Sequence, residues 1–161
     1  MRNFILLFVA ALFVGCASPG VQVTTDDEKS QAIKAAYDGY LVNDFTASNE
    51  LYTDETAIYI NSVESISNEE NLAAFSSHHD FYSDISMSRT YIQTSAYDND
   101  LGTWTHAWFV WKGTGKASGN TFEVPCHVAY QWGDDGKIAQ TWFFSDQSNH
   151  LKELAAAGVE L

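Results

Sequence analysis

The chain has 161 residues and carries 21 acidic against 8 basic side chains, so its formal net charge is −13 at pH 7. A surface this acidic repels polyphosphates, which excludes nucleic acid as a partner. The 5 tryptophans, 8 tyrosines and 10 phenylalanines are too many for a disordered chain, so the composition predicts one folded domain with a substantial core.

The N-terminal segment, residues 1–15, has the composition of a signal peptide. Arg2 is its only charged residue, and the apolar run from Phe4 to Val14 is about half the ~20 residues that a membrane-spanning helix needs. The run leads into Phe13-Val14-Gly15-Cys16, which resembles the lipobox of bacterial lipoproteins, where the lipidated cysteine follows a small residue. We therefore predict cleavage before Cys16 and attachment of lipid, such as palmitate, to that cysteine.

Two other ways of processing this terminus stay open. One is a plain secretory signal cut near Ala17 or Ser18, and the other is a permanent membrane anchor. If Cys16 is lipidated, Ala17 after it favours the outer over the inner membrane, because inner-membrane retention usually places aspartate there. The expected location is then the cell envelope, with residues 16–27 forming the lipidated cysteine and a polar tether.

The first helix is predicted to begin at Asp26 and Asp27, since acidic residues are favourable at the positive end of a helix. Residues at helical spacing form one apolar face on it: Ile33, Ala36, Tyr37, Tyr40 and Leu41. A short second helix is predicted over residues 45–52, followed by a strand over residues 56–61.

Ser67 and Glu70 have the spacing of a capping box, which predicts that a third helix begins here and runs towards His79. Its predicted buried face contains Leu72, Phe75 and His79. The rest of the chain is rich in β-branched and aromatic residues, which predicts four antiparallel strands over residues 86–97, 103–114, 121–132 and 137–145. A last short helix is predicted from Asp146 to Leu154. Helices on one side of such a sheet make an α+β domain.

Several short motifs along the predicted domain occur in a characteristic order and spacing: Asn43-Asp44-Phe45, Leu51-Tyr52-Thr53-Asp54-Glu55-Thr56-Ala57, Asp134-Asp135-Gly136-Lys137-Ile138, Trp142 and Asp146-Gln147. Together they resemble the SnoaL-like branch of the nuclear transport factor 2-like superfamily. The resemblance implies that residues 28–161 form a cone-shaped α+β barrel, in which a strongly curved antiparallel sheet wraps around the N-terminal helices. It also implies an apolar cavity at the open end of the cone.

The resemblance assigns a set of residues to the wall of that cavity: Tyr37, Tyr40, Ile60, Cys126, Val128 and Phe143. The resemblance implies that cyclases and ketosteroid isomerases of this superfamily carry their acid/base and polar partner residues at the positions of Phe143, Val128 and Ile60, or of Asn61 instead of Ile60 if the alignment is shifted by one. Apolar side chains cannot transfer protons, so both known chemistries are expected to be absent. Trp132 and Trp142 are expected in the core.

The remaining catalytic candidates are His79, Tyr37, Tyr40 and His106. In His78-His79-Asp80, histidine beside a carboxylate would suit an acid/base pair or a metal site. Adjacent helix residues point about 100° apart, however, so we favour a hydrogen-bonded His79 with two solvated neighbours. Metal-ligand spacings such as CxxC or HExxH do not occur, and neither a metal nor another cofactor is expected. His127 is expected on the outer face of the sheet.

Three hypotheses about function follow. The leading one is a membrane-anchored domain whose apolar cavity binds a small hydrophobic ligand or which serves in assembly, without established catalysis. The alternative is a SnoaL-type cyclase or ketosteroid-isomerase-like enzyme with a relocated acid/base. The third is a structural subunit that forms a homodimer, or binds a protein partner, through the outer face of its sheet.

Overall fold

A computed structural model describes residues 20–160 of the chain. The predicted signal peptide and Cys16 lie outside the described residues. The strands are β1 (Gln22–Thr24), β2 (Ala57–Ile60), β3 (Tyr82–Ala96), β4 (Thr103–Gly115), β5 (Thr121–Trp132) and β6 (Ile138–Ser145). The helices are α1 (Glu28–Leu41), α2 (Thr46–Asn49), α3 (Asn68–Phe81) and α4 (Ser148–Ala156). Within the described part of the chain, no helix is long and apolar enough to cross a membrane.

The six strands form one sheet in the order β1-β3-β4-β5-β6-β2. Strands β3 to β6 make the predicted antiparallel meander, whereas β2 pairs parallel to β6 at one edge. The core lies between the inner face of the sheet and the helices, where Ile33 and Tyr40 of α1 pack with Phe109 and Val128 of the sheet. The predicted α+β class with a curved sheet is confirmed, and the sheet is not closed, since β1 and β2 form its two edges.

Two bulges bend the longest strand, β3. Its pairing with β4 shifts register between Ser83 and Ser86 and again between Ser88 and Tyr91. Asp84 and Arg89 lie in these intervals, each with φ of 53°. An extra residue in one strand of a pair bends that strand and increases its twist. The bulges therefore contribute to the curvature that gives the sheet a concave inner face.

The helix starts follow the sequence closely. The Asp27 side chain accepts hydrogen bonds from the backbone of Lys29 and Ser30, so Asp27 is the N-cap of α1. Ser67 and Glu70 form the predicted capping box of α3. These caps satisfy N–H groups that the first helical turn leaves without partners.

Part of the segment predicted as a polar tether, residues 16–27, forms a strand. Gln22–Thr24 form the edge strand β1, which pairs antiparallel with residues 94–96 of β3. All three β1 residues are exposed, so backbone hydrogen bonds rather than core packing hold the strand. A polar strand of this kind lacks the alternation of buried and exposed residues by which strands are recognised in a sequence.

Helix α4 is fixed to the sheet by a buried carboxylate. Glu153 is fully buried, and its Oε1 accepts hydrogen bonds from the backbone N–H of Ala117 at 2.8 Å and of Ser118 at 3.4 Å. Gly115 makes room for this carboxylate, since a Cβ there would collide with Oε2. The contact holds α4 against the β4–β5 turn, and His150, one helical turn earlier, lies at the inner face of the domain.

Candidate functional site

A cavity of about 230 Å³ lies between the inner face of the sheet and the helices. All six residues that the resemblance assigned to its wall line it: Tyr37, Tyr40, Ile60, Cys126, Val128 and Phe143. Among the described residues that line the cavity, Asp146 is the only one with a formal charge, and it is exposed. The cavity is therefore largely apolar, with a few polar groups placed in it.

Strand alternation selects the residues that face the cavity. On β5, Cys126, Val128 and Tyr130 point inwards, whereas His127 between them points to the outer face. On β6, Phe143 points inwards, whereas Trp142 stacks on Tyr59 with ring centroids 4.0 Å apart and does not line the cavity. The expectation that Trp142 is a core residue is therefore wrong, because the parity of β6 turns it outwards.

Tyrosine hydroxyls on one wall of the cavity are paired with each other. The Tyr37 and Tyr130 hydroxyl oxygens lie 2.9 Å apart, in hydrogen-bond distance. Burial raises the pKa of both hydroxyls above 10.0, and it raises the pKa of Tyr52 to about 12. At neutral pH all three tyrosines are protonated, so they offer hydrogen bonds to a ligand but do not act as bases.

A directed chain of hydrogen bonds joins α1, α3 and β4 at another wall of the cavity. Trp111 Nε1–H donates to the Tyr40 hydroxyl oxygen at 2.8 Å, and that oxygen lies 2.9 Å from His78 Nδ1. Tyr40 and Trp111 are both buried. Burial, followed by the neighbouring His150 and His79, lowers the pKa of His78 to about 4, so His78 is neutral at neutral pH.

The structure places the two adjacent histidines of α3 differently from the prediction. His78 lines the cavity, whereas His79 does not, and His79 Nε2 donates to the backbone carbonyl oxygen of Tyr40 at 2.8 Å. The face of α3 that lines the cavity includes the predicted Leu72 and Phe75, together with Asn71 and His78. The prediction was wrong at His79, and it missed Asn71 because that buried residue is polar.

A second histidine and tyrosine pair lies beside His78. His150 Nδ1 on α4 is 3.0 Å from the Tyr82 hydroxyl oxygen, and its ring centroid is 5.2 Å from that of His78. Burial lowers the pKa of His150 as well. The sequence contained little sign of this pair, because its members lie on β3 and α4, which are distant in the chain.

The two histidines in strands, His106 on β4 and His127 on β5, lie away from the cavity. His106 Nδ1 and His127 Nε2 are 3.2 Å apart on the outer face, where both rings lie close to Trp108. His106 therefore does not join Tyr37 and Tyr40 in one site. Of the four catalytic candidates taken from the sequence, only these two tyrosines line the cavity.

We predict that the thiol of Cys126 is unreactive in the folded protein. Burial raises its pKa from 9.0 to about 11, which lowers the thiolate fraction at pH 8 by about 100-fold. In a Cys16→Ser variant, Cys126 is the only cysteine, so Ellman's reagent reports on it alone. Reaction should be at least about 100-fold slower in buffer than in 8 M urea; equal rates would contradict the assignment of Cys126 to the cavity wall.

Solved structures with the same architecture exist, although their sequences are distant. No known family model matches the chain, and no curated protein sequence does. A proposed polyketide cyclase from Xanthomonas campestris pv. campestris superposes with a TM-score of 0.60 at 16% identity, covering 78% of this chain and 95% of that one. AclR, a proposed hydroxylase from Streptomyces galilaeus, gives a TM-score of 0.63 at 11% identity over 80% of this chain and 85% of that one.

A third neighbour is described by its fold. It is a Catenulispora acidiphila protein with a ketosteroid isomerase-like fold, solved with trimethylamine, and it matches with a TM-score of 0.53 at 12% identity over 81% of this chain and 94% of that one. The chain has the ketosteroid isomerase-like fold. The architecture implied by the resemblance to the SnoaL-like branch is thereby confirmed. Sequence identities this low establish the fold alone, and a fold hosts many functions.

Proposed function

We propose that this protein is a binding protein whose cavity holds a small, apolar, uncharged molecule, and that lipid on Cys16 keeps it at a membrane. The observation that carries the first part is the cavity of about 230 Å³ with its apolar wall. This volume corresponds to roughly eight waters and lies just below the ~300 Å³ at which the usual range of ligand pockets begins. Small cyclic or branched molecules are therefore better matched to it than long lipids.

The alternative, an enzyme with a relocated acid/base, has less support. The acid/base positions known from this fold contain Ile60, Val128 and Phe143, all of which line the cavity as apolar side chains. The histidines that line the cavity are His78 and His150, and burial lowers the pKa of both. A general base is most effective when its pKa is near the working pH. With a pKa of about 4, His78 is a weak base at neutral pH. Binding is the function that this set of groups supports best.

Native mass spectrometry of protein purified from its own host tests the binding function. We expect a species whose mass exceeds that of the polypeptide by one small molecule, and release of that molecule when the protein is unfolded in organic solvent. The experiment reports the oligomer mass at the same time. A protein that shows only polypeptide mass and also fails to take up added apolar compounds would contradict the proposal.

We predict that a Cys16→Ser change releases the protein from the membrane fraction. The remaining surface is acidic and gains nothing from anionic headgroups, so lipid would have to provide the attachment. Several acyl chains would hold the protein stably, whereas one chain would not. The matched control is Cys126→Ser, which should stay in the membrane fraction. Unchanged fractionation of the Cys16→Ser variant, measured by immunoblot after ultracentrifugation, would contradict the anchor.

A further inference from the structure

The hydrogen-bond chain that ends at His78 has a fixed direction. The indole N–H of Trp111 can only donate, so the Tyr40 oxygen is the acceptor in the bond between them. Tyr40 then has one hydrogen left to donate, and the atom within reach is His78 Nδ1, 2.9 Å away. If Nδ1 donated instead, the buried Tyr40 hydroxyl hydrogen would lose its partner. Nδ1 is therefore the acceptor.

This direction determines the state of the other ring nitrogen. A neutral imidazole carries its single proton on one nitrogen, so a His78 that accepts at Nδ1 carries the proton on Nε2. The structure gives Nε2 no hydrogen-bond partner within residues 20–160, and His78 lines the cavity among the rings of Phe75, Trp111 and His150. An N–H donor without a protein partner is thus available to a molecule in an apolar cavity.

The charges around this donor exclude an anion as its partner. No lysine or arginine from the described part of the chain lines the cavity, and the one charged lining residue is the acidic Asp146. A carboxylate or phosphate would be desolvated there without a permanent cation, within a protein of net charge −13. An uncharged acceptor such as a carbonyl or ether oxygen makes the same hydrogen bond at a much lower desolvation cost.

We propose that the His78 Nε2–H group is the polar anchor of the cavity and selects small apolar ligands that bear an uncharged acceptor oxygen. This inference rests on the proposed binding function and adds the chemical class of the ligand. Trp111 and Tyr40 are positioning residues, because they set the tautomer of His78. The indole N–H of Trp111 and the hydroxyl hydrogen of Tyr40 are both used in this chain, so neither is available to the ligand. The other histidine nearby, His150, has its Nδ1 engaged with Tyr82 and completes the polar end of the cavity.

Three probes of similar shape test the proposal at pH 7.5: 1-indanone, indane and indane-1-carboxylate. His78→Asn is the key variant, because the amide oxygen of asparagine can still accept from Tyr40, whereas its NH2 group is too close to the backbone to reach the position of Nε2–H. His79→Asn is the matched control, one residue along the same helix and outside the cavity. The quantity to compare between variants is the Kd of indane divided by the Kd of 1-indanone. The free energy of hydration of each free probe is the same in every experiment, so it cancels when this ratio is compared between variants.

We expect this ratio to fall by about tenfold in His78→Asn and to stay unchanged in His79→Asn, in line with the loss of one hydrogen bond. Indane-1-carboxylate should bind the wild type at least about tenfold more weakly than indanone. An unchanged ratio in His78→Asn, with indane still bound, would overturn the anchor and leave the binding function intact. No binding of any probe to the wild type would overturn both.

If His78→Asn does not fold, a measurement on the wild type tests the same proposal. Nitrogen-15 NMR of the histidine side chains distinguishes a protonated from an unprotonated ring nitrogen. We expect His78 to carry its proton on Nε2, and that nitrogen to shift when 1-indanone is added but not when indane is added. A proton on Nδ1, or equal shifts with both probes, would overturn the proposal.

Discussion

Replacement of Tyr40 by phenylalanine should lower the free energy of unfolding by about 2 to 6 kcal/mol, although the substitution removes a single oxygen atom. That oxygen accepts from the indole N–H of Trp111 and bonds to Nδ1 of His78. Both partners would remain inside the domain without a hydrogen bond, and each such loss costs about 1 to 3 kcal/mol. Urea unfolding followed by tryptophan fluorescence measures the difference.

Tyr59→Phe is the matched control for this change. Tyr59 stacks on Trp142 at the outer face, and its hydroxyl has no hydrogen-bond partner within residues 20–160. Its loss should change the free energy of unfolding by less than about 0.5 kcal/mol, as is usual for surface substitutions. If Tyr40→Phe were as mild as Tyr59→Phe, the hydrogen-bond chain from Trp111 to His78 would not hold the core as described.

Acidification should destabilise the protein through His78. Its pKa is about 4 in the folded protein, against 6.5 for an unperturbed histidine. Between these values the unfolded chain binds a proton that the folded protein does not, so the free energy of unfolding falls as the pH falls from about 6.5 towards 4. From pH 7 to pH 4.5 the contribution of His78 amounts to about 2.5 kcal/mol.

The variant His78→Asn should therefore lose less stability than the wild type over this pH range, by about 2.5 kcal/mol. Ala73→Asn, at an exposed position of the same helix, controls for asparagine in α3 and should keep the full dependence. Burial also lowers the pKa values of His106, His127 and His150, so some dependence remains in both variants. Equal slopes for His78→Asn and the wild type in urea unfolding would show that His78 is not buried as a neutral group.

Much of the fold was predictable because its signals are local. The capping box of Ser67 and Glu70 marks the start of α3, and β-branched and aromatic residues mark β4 and β5 nearly to the residue. The strand β1 was missed, because an exposed edge strand of three residues buries nothing and leaves no periodic pattern. The early start of β3 was missed as well. It follows α3 directly at Tyr82, without the turn residues that usually separate two elements.

The site was predictable only where strand parity or the motifs decided it. The inward positions of Cys126 and Val128, and the outward position of His127, follow from alternation along β5. His78 and His79 illustrate the opposite case, because the orientation of α3 about its axis decides which of two adjacent residues reaches the cavity. The contacts of Phe75 with Tyr40 and Phe143 help to fix that orientation, and they come from distant parts of the chain that local periodicity does not contain.

The most direct test of the binding function is calorimetric titration of indane into the wild type and two tryptophan variants. Ile60 and Tyr59 are neighbours on β2, and only Ile60 lines the cavity. We predict saturable binding of one indane per chain, with a negative heat-capacity change because apolar surface is buried. Tyr59→Trp should bind as the wild type does, whereas Ile60→Trp should fill the cavity and weaken binding at least about tenfold. No saturable binding to the wild type, or equal binding by Ile60→Trp, would contradict the account.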